Sequence, residues 1–178
     1  MCIRDRLKAS GGGIWGLDAT LDGRMLVSVG DDGLIRIWGP DDRGLIDEPI
    51  AAQRDLLAVS ADRSRMAVLT ADGTVEIRSI DGSTPPIEIP TPAELRAIPH
   101  VGSMSADGGR FADVIAAASP RVRVVDTTTG HVIWTSDETE PIDAAVISAD
   151  GTRLFVMSEG FSVLSSIDVE SGDVVDGP

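Results

Sequence analysis

The sequence predicts an all-β fold made of four repeated units, each one a small antiparallel sheet. One phrase occurs four times, as LDGRMLVSV (21–29), ADRSRMAVL (61–69), ADGGRFADV (106–114) and ADGTRLFVM (149–157). The aspartates that anchor the four copies are Asp22, Asp62, Asp107 and Asp150, which are 40, 45 and 43 residues apart. A period of about 40–45 residues is the length of a four-stranded propeller blade. We therefore expect a β-propeller segment of four blades.

Within each unit, four short strands are expected in chain order. The first strand leads into an Asp-Gly turn, in which Gly accepts a positive φ and Asp bonds its own backbone. A short apolar run such as MLVSV follows and predicts a buried second strand. A further turn precedes an alternating third strand, clearest in LIRIW (34–38) and TVEIR (74–78). The fourth strand is clearest after the Thr-Gly turn of DTTTGHVIWTS, at residues 131–136.

Helices are expected in less than about a tenth of the chain, because blades are all β. The segment TPAELRAI (91–98) is the one helical candidate, and it is short. The stretch GGGIWG (11–16) fits G-x-G-x-x-G, with Asp31 and Asp32 where a ribose-binding acid would lie. A dinucleotide site needs a helix after these glycines, whereas IWGLDATLDGR alternates into a turn. We interpret the glycines as a flexible connector into the first strand.

Residues 13–38, GIWGLDATLDGRMLVSVGDDGLIRIW, closely resemble one blade of a WD-repeat β-propeller. Ser28, Asp32 and Trp38 occupy the positions that bond together across a blade in that family. The family's Gly-His pair is missing from SGGG, and Gly39 stands where the family usually has Asp. The second unit, ADGTVEIRS (71–79), has Asp72 in the turn but Arg78 in place of Trp. The third and fourth units resemble the wider bacterial propeller repeats, with an Asp followed by a Thr-Gly or Ser-Gly turn.

The repeats place the blades at about 11–50, 51–90, 91–139 and 140–178, after a non-native or disordered segment 1–10. The resemblance implies a blade-to-blade angle suited to about seven blades, so four would form an open arc, a fragment of a larger propeller. The outer faces of the first and last units are then expected to expose Ile35, Leu154 and Val156. Exposed apolar faces drive association, so we expect the chain to self-associate.

The composition excludes several classes of function. A net charge of −14 repels phosphate backbones and anionic lipids, so nucleic-acid and membrane binding are not expected. No run approaches the roughly 18 apolar residues of a membrane span. Cys2 is the one cysteine, so neither a disulfide within the chain nor a cysteine metal cluster can form. These features, with abundant Ala, Gly and Asp, favour a bacterial, cytoplasmic protein.

No catalytic, cofactor-binding or metal-binding residue is predicted. His100 and His131 lie in different blades, and we expect both at the surface or in turns. The acidic stretches GDDG, GPDDRG and SDETE lack calcium-loop spacing, and most of their acids suit turns. Trp15, Trp38 and Trp134 fall on strands, where they are expected to fill gaps between blades or to cover strand edges.

The resulting functional hypothesis is a non-catalytic scaffold that binds protein or peptide partners through the rim loops of a larger ring. Repeats use their sequence for stacking, while variable loops stay free for recognition. The resemblance implies a role in a bacterial signalling or interaction protein, alongside the remaining blades of the parent chain. The alternative is part of a propeller enzyme, either lactonase-like or binding a redox cofactor, whose catalytic residues lie in the missing blades.

Overall fold

The computed structural model describes residues 12–19, 25–32, 34–39, 53–96, 100–116, 120–136, 142–158 and 163–176. These residues form fifteen strands in four antiparallel sheets, which confirms the predicted all-β class. The first sheet contains β1 (Ile14–Ala19), β2 (Leu26–Gly30) and β3 (Ile35–Trp38). The second contains β4 (Gln53–Val59), β5 (Arg65–Thr70), β6 (Val75–Ser79) and β7 (Ile87–Ile89).

The third and fourth sheets repeat this plan. The third contains β8 (His100–Met104), β9 (Arg110–Ile115), β10 (Arg121–Asp126) and β11 (Val132–Thr135). The fourth contains β12 (Ile142–Ile147), β13 (Arg153–Ser158), β14 (Val163–Asp168) and β15 (Val174–Asp176). In every sheet each strand pairs with the next one along the chain. A fourth strand of the first sheet would fall in residues 40–52, which lie outside the described ranges, as does the segment 1–10.

The structure also tests the expectations for the candidate helix and for the glycine-rich stretch. The candidate helix at 91–98 contains a 3-10 turn at Ala93–Leu95. The glycine-rich stretch leads directly into β1, so no helix follows it. Gly13 pairs with Asp31, both backbone to backbone and through the Asp31 carboxylate, and a Cβ at Gly12 would collide with that carboxylate. None of the described segments is a helix long and apolar enough to cross a membrane.

The four sheets pack face to face in chain order. The first strand of each sheet contacts the first strand of the next, so β1 contacts β4, β4 contacts β8 and β8 contacts β12. We call the face that a sheet turns toward the following sheet its front face, and the opposite face its back face. A separate hydrophobic cluster fills each of the three spaces between sheets. The result is an open arc, as the sequence predicts.

Hydrogen bonds near the first strands reinforce this stacking. The Val59 N–H donates to Asp18 Oδ2 of the first sheet at 3.0 Å, and the Ile147 N–H donates to Ser103 Oγ of the third at 2.9 Å. The Ala106 N–H donates to the Ala149 carbonyl at 2.8 Å. The sheets are therefore held in register by polar contacts as well as by apolar packing.

The expected exposure of Ile35, Leu154 and Val156 is wrong. Ile35 is 1% exposed on the front face of the first sheet and packs against the second. Leu154 and Val156 are 0% and 6% exposed on the back face of the fourth sheet, against the third. Side chains alternate along a strand, so an error of one position moves a residue to the opposite face.

The outer faces of the arc expose other apolar residues. Leu17 lies on the back face of the first sheet and is 60% exposed. Phe155 and Leu164 lie on the front face of the fourth sheet and are 42% and 58% exposed. The expectation of exposed apolar outer faces therefore holds, with a different set of side chains.

Candidate binding groove

A groove of about 760 Å³ lies between the third and fourth sheets, at the rim that carries the turns. It is lined by the first and third turns of each sheet, which connect strands one to two and three to four. Its charged lining residues are Asp107, Arg110, Asp126, Asp150, Asp168 and Glu170. Thr129, His131 and Ile133 complete the wall on the side of the third sheet.

The two first turns share one hydrogen-bonded motif. In the third sheet the Ser105 hydroxyl donates to Asp107 Oδ1 at 2.7 Å, and Oδ1 also accepts the Gly109 N–H at 2.9 Å. In the fourth sheet the Ser148 hydroxyl donates to Asp150 Oδ1 at 2.6 Å, and the Thr152 N–H donates at 3.1 Å. The repeated Ser-Ala-Asp sequence therefore fixes each carboxylate beside the groove.

The two third turns share a second motif, D-x-x-x-G. Asp126 Oδ1 accepts the N–H groups of Thr128 and Thr129, at 2.9 and 3.0 Å. Asp168 Oδ1 accepts the Glu170 and Ser171 N–H groups, at 3.1 and 2.9 Å. Each turn ends in a glycine at positive φ, 73° at Gly130 and 76° at Gly172, a conformation that glycine adopts without strain.

These hydrogen bonds stabilise the ionised form of each carboxylate. Hydrogen bonds from Ser148 and Thr152 lower the pKa of Asp150 to about 2. The Gly109 N–H and the Ser105 hydroxyl lower the pKa of Asp107, and the Ser171 N–H lowers that of Asp168. Burial raises the pKa of Asp126, but its turn hydrogen bonds and Arg110 outweigh burial and lower it. The groove is therefore anionic at neutral pH.

The carboxylates keep capacity for a partner. The turn hydrogen bonds to Asp107, Asp150 and Asp168 all fall on Oδ1, so Oδ2 of each can accept from a ligand. Arg110 donates to Asp126 Oδ2 at 2.8 Å and neutralises one of the five acids. Carboxylates that face a groove attract arginine and lysine side chains, with which they form charge-assisted hydrogen bonds.

The three residues predicted to bond together across the first blade, Ser28, Asp32 and Trp38, lie in the first sheet, away from this groove. Trp38 Nε1 donates to the Ser28 hydroxyl at 3.0 Å, and both side chains are buried. The Asp32 carboxylate forms a two-pronged pair with the Arg36 guanidinium, at 3.1 and 2.8 Å, and accepts the Leu34 N–H. The structure thus joins Ser28 to Trp38 and places Asp32 against Arg36 at the surface.

A buried ionic network that the sequence did not predict links the second and third sheets. Asp113 accepts from His100 Nδ1 at 2.8 Å and from Arg123 Nε at 2.8 Å. Arg123 also donates to the Pro90 carbonyl and to the Thr91 hydroxyl, both just after β7. All three ionisable side chains are at least nine-tenths buried.

The expectation that His100 lies at the surface or in a turn is therefore wrong. Because an ionised carboxylate only accepts hydrogen bonds, Nδ1 is the nitrogen of the His100 ring that donates to Asp113. The opposite nitrogen, Nε2, is buried and has no hydrogen-bond partner. The sequence signal was weak: Asp113 and Arg123 sit on strands otherwise rich in apolar residues, and nothing local indicates that they pair.

The other residues considered from the sequence are the second histidine, Trp134 and the acidic stretches. His131 is exposed and follows the Gly130 turn at the groove. Trp134 packs against the cluster between the third and fourth sheets, which fits its expected gap-filling role. The stretches GPDDRG and SDETE lie mostly outside the described ranges. Among the residues that are described, no three or more His, Cys, Asp or Glu are arranged to hold a metal ion.

Comparison with solved structures identifies the fold as that of a β-propeller. No family model and no curated protein sequence matches the chain. A chain of the crystal structure of the Mitotic Checkpoint Complex superposes with a TM-score of 0.70 at 12% identity, over 93% of this chain and 50% of that one. The β-propeller domain of Myceliophteria thermophila Cps50 (Swd1) gives 0.69 at 16%, over 95% and 55%. The chain thus spans about half the length of each.

Proposed function

We propose that this chain is a non-catalytic scaffold whose groove between the third and fourth sheets binds protein segments rich in arginine or lysine. The observation that carries this proposal is the set of five carboxylates around one groove, three of them with an unused oxygen, against a single paired arginine. Four turns hold the carboxylates of Asp107, Asp126, Asp150 and Asp168 in place before a partner arrives, which reduces the ordering cost of binding.

The surrounding context supports the same partner class. A net charge of −14 attracts a cationic peptide and speeds its encounter with the groove. The fold suits an interaction scaffold, and one structure that shares it comes from the Mitotic Checkpoint Complex. We further propose a setting in the cytoplasm of a bacterium, on the grounds of composition. We also propose a place in a ring of more than these four sheets, because the chain spans about half of each superposed propeller.

A peptide titration tests the proposal. We expect the chain to bind a fluorescein-labelled ten-residue Arg/Gly/Ser peptide, as measured by fluorescence anisotropy. An Asp/Gly/Ser peptide of equal length should show no binding. Added salt weakens the binding because it screens the charges. Glu170→Lys reverses a groove charge whose side chain makes none of the turn hydrogen bonds, so affinity should fall on the order of threefold.

The matched control is Glu88→Lys, which makes the same charge change at an exposed residue of the second sheet, outside the groove. Equal weakening by both variants would mean that only net charge matters and would contradict a site in the groove. Equal binding of the two peptides would contradict the proposed partner class.

A further inference from the structure

Phe155 occupies a position that the other three sheets bury completely. It lies five residues after Asp150, the anchoring aspartate of its unit. The residues five positions after Asp22, Asp62 and Asp107 are Val27, Ala67 and Ala112, and each is 0% exposed under the following sheet. Phe155 is 42% exposed. The front face of the fourth sheet therefore has the form of an inter-sheet interface without the next sheet.

Leu164 repeats the comparison on the third strand. It pairs across the sheet with Met157, seven residues after Asp150. The corresponding third-strand residues of the first three sheets are Ile35, Val75 and Val122, which are 1%, 0% and 0% exposed. Leu164 is 58% exposed. Two neighbouring strands thus expose apolar side chains at positions that stacking covers elsewhere in this chain.

The first sheet presents the other half of the same interface. Leu17 pairs with Ser28 on the back face and is 60% exposed. Its counterparts in the second and fourth sheets, Leu56 and Ala145, are 9% and 8% exposed because the preceding sheet covers them. Ile14, on the same strand, is 52% exposed.

We propose that the front face of the fourth sheet docks the back face of the first sheet of a second copy of this chain, so that two copies close one eight-sheet ring. The contact continues an interface that the chain already makes three times between its own sheets. A contact between two different faces closes into a ring when the rotation allows, and rings of four to eight blades occur.

Sedimentation equilibrium of the whole chain, at about 150 mM salt to limit charge repulsion, tests this proposal. We expect a species of twice the 18.6 kDa chain mass. Leu17→Arg places a charge on the back face of the first sheet, and Phe155→Asp places one on the front face of the fourth sheet. Each variant alone should therefore be monomeric. Val101→Asp changes an exposed valine (63%) away from both faces and should leave the dimer intact.

Mixing the two monomeric variants makes the test specific for two different faces. In the mixture one interface is wild type on both sides and the other pairs the introduced arginine with the introduced aspartate, so the dimer should return. Circular dichroism and a cooperative melt establish that each variant is folded; Leu17→Ser and Phe155→Ser replace any that is not. A monomeric wild-type chain, an open-ended polymer, or a dimer insensitive to either variant would overturn the proposal. So would a mixture that stays monomeric.

Discussion

At the scale of single residues, Asp113 is the central acid of the buried ionic network. It lies 0% exposed between His100 and Arg123, and Arg123 in turn reaches Pro90 and Thr91 of the preceding sheet. Replacing this carboxylate leaves the Arg123 charge buried without its partner. Arg123 therefore couples the second and third sheets, and Asp113 supplies its buried counter-charge.

We expect Asp113→Asn to lower the free energy of unfolding by about 3–5 kcal/mol, the cost of breaking a buried ion pair from one side. Urea denaturation measures the change. The matched control is Glu76→Gln, which removes a carboxylate paired with Arg78 at 2.6 Å on a partly exposed face. That variant should cost about 1 kcal/mol or less. Equal losses from the two variants would show that the buried network has no special role.

At the scale of single elements, the first turn of the second sheet differs from its counterparts. Arg63 has a φ of 66°, where the third and fourth sheets have Gly108 and Gly151 at 68° and 73°. A side chain in this left-handed region costs about 1–2 kcal/mol. The rest of the turn keeps the shared motif, since the Ser60 hydroxyl donates to Asp62 at 2.7 Å. The turn therefore folds correctly with one strained residue.

Arg63→Gly should have a free energy of unfolding about 0.5–1 kcal/mol above that of Arg63→Ala, the relief of strain less the backbone entropy that glycine adds. Arg63→Ala is the control, because it removes the long side chain but keeps the Cβ that causes the strain. Thermal and urea denaturation of the three proteins give the comparison. If alanine stabilises as much as glycine, the Arg63 side chain rather than the backbone is responsible.

Turns were the elements most open to prediction from sequence, and the buried network the least. Asp-Gly and Thr-Gly pairs act through local backbone bonds, so their meaning is visible within five or six residues, as at Asp150 and Gly151. The pairing of Asp113 with Arg123 and Thr91 depends on how strands from two sheets meet. The groove also depends on stacking, since its two walls come from units 43 residues apart in the repeat.

At the scale of the whole molecule, the period predicted the four sheets and the open arc, but not which side chains face outward. An apolar run such as LFVM (154–157) has the same pattern whichever of its alternate residues points to the neighbouring sheet. The structure decides this: Leu154 and Val156 face the third sheet, and Phe155 faces away. Which surface is available to a second copy is therefore decided by how the sheets pack, and the apolar pattern of the sequence does not show it.

The loss of folding stability at acidic pH is expected to come from aspartates in several turns rather than from one. The aspartates whose pKa is lowered by turn hydrogen bonds are Asp62, Asp72, Asp81, Asp107, Asp126, Asp150 and Asp168. A lowered pKa in the folded state stabilises the fold above the unfolded value, and that stability is lost as the pH falls through the folded value. For Asp150 this window runs from 3.8 down to about 2.

We therefore expect the melting temperature of the wild type to exceed that of Asp150→Ala above pH 4, and the gap to narrow steadily as the pH falls toward 2. Thermal melts of both proteins in matched buffers measure the gap. Its persistence unchanged at low pH would mean that ionisation of Asp150 contributes nothing to the turn.

The most direct test of the groove between the third and fourth sheets is to map the peptide contact on the chain itself. Amide chemical shifts of the labelled protein, recorded while the Arg/Gly/Ser peptide is added, report each backbone group separately. We predict that the shifts concentrate at Gly109, Thr129, Thr152 and Glu170, which line the groove from both sheets, and that Gly73 and Glu88 in the second sheet stay unchanged. Shifts spread evenly over the acidic surface, or centred on another pair of sheets, would contradict a binding groove between the third and fourth sheets.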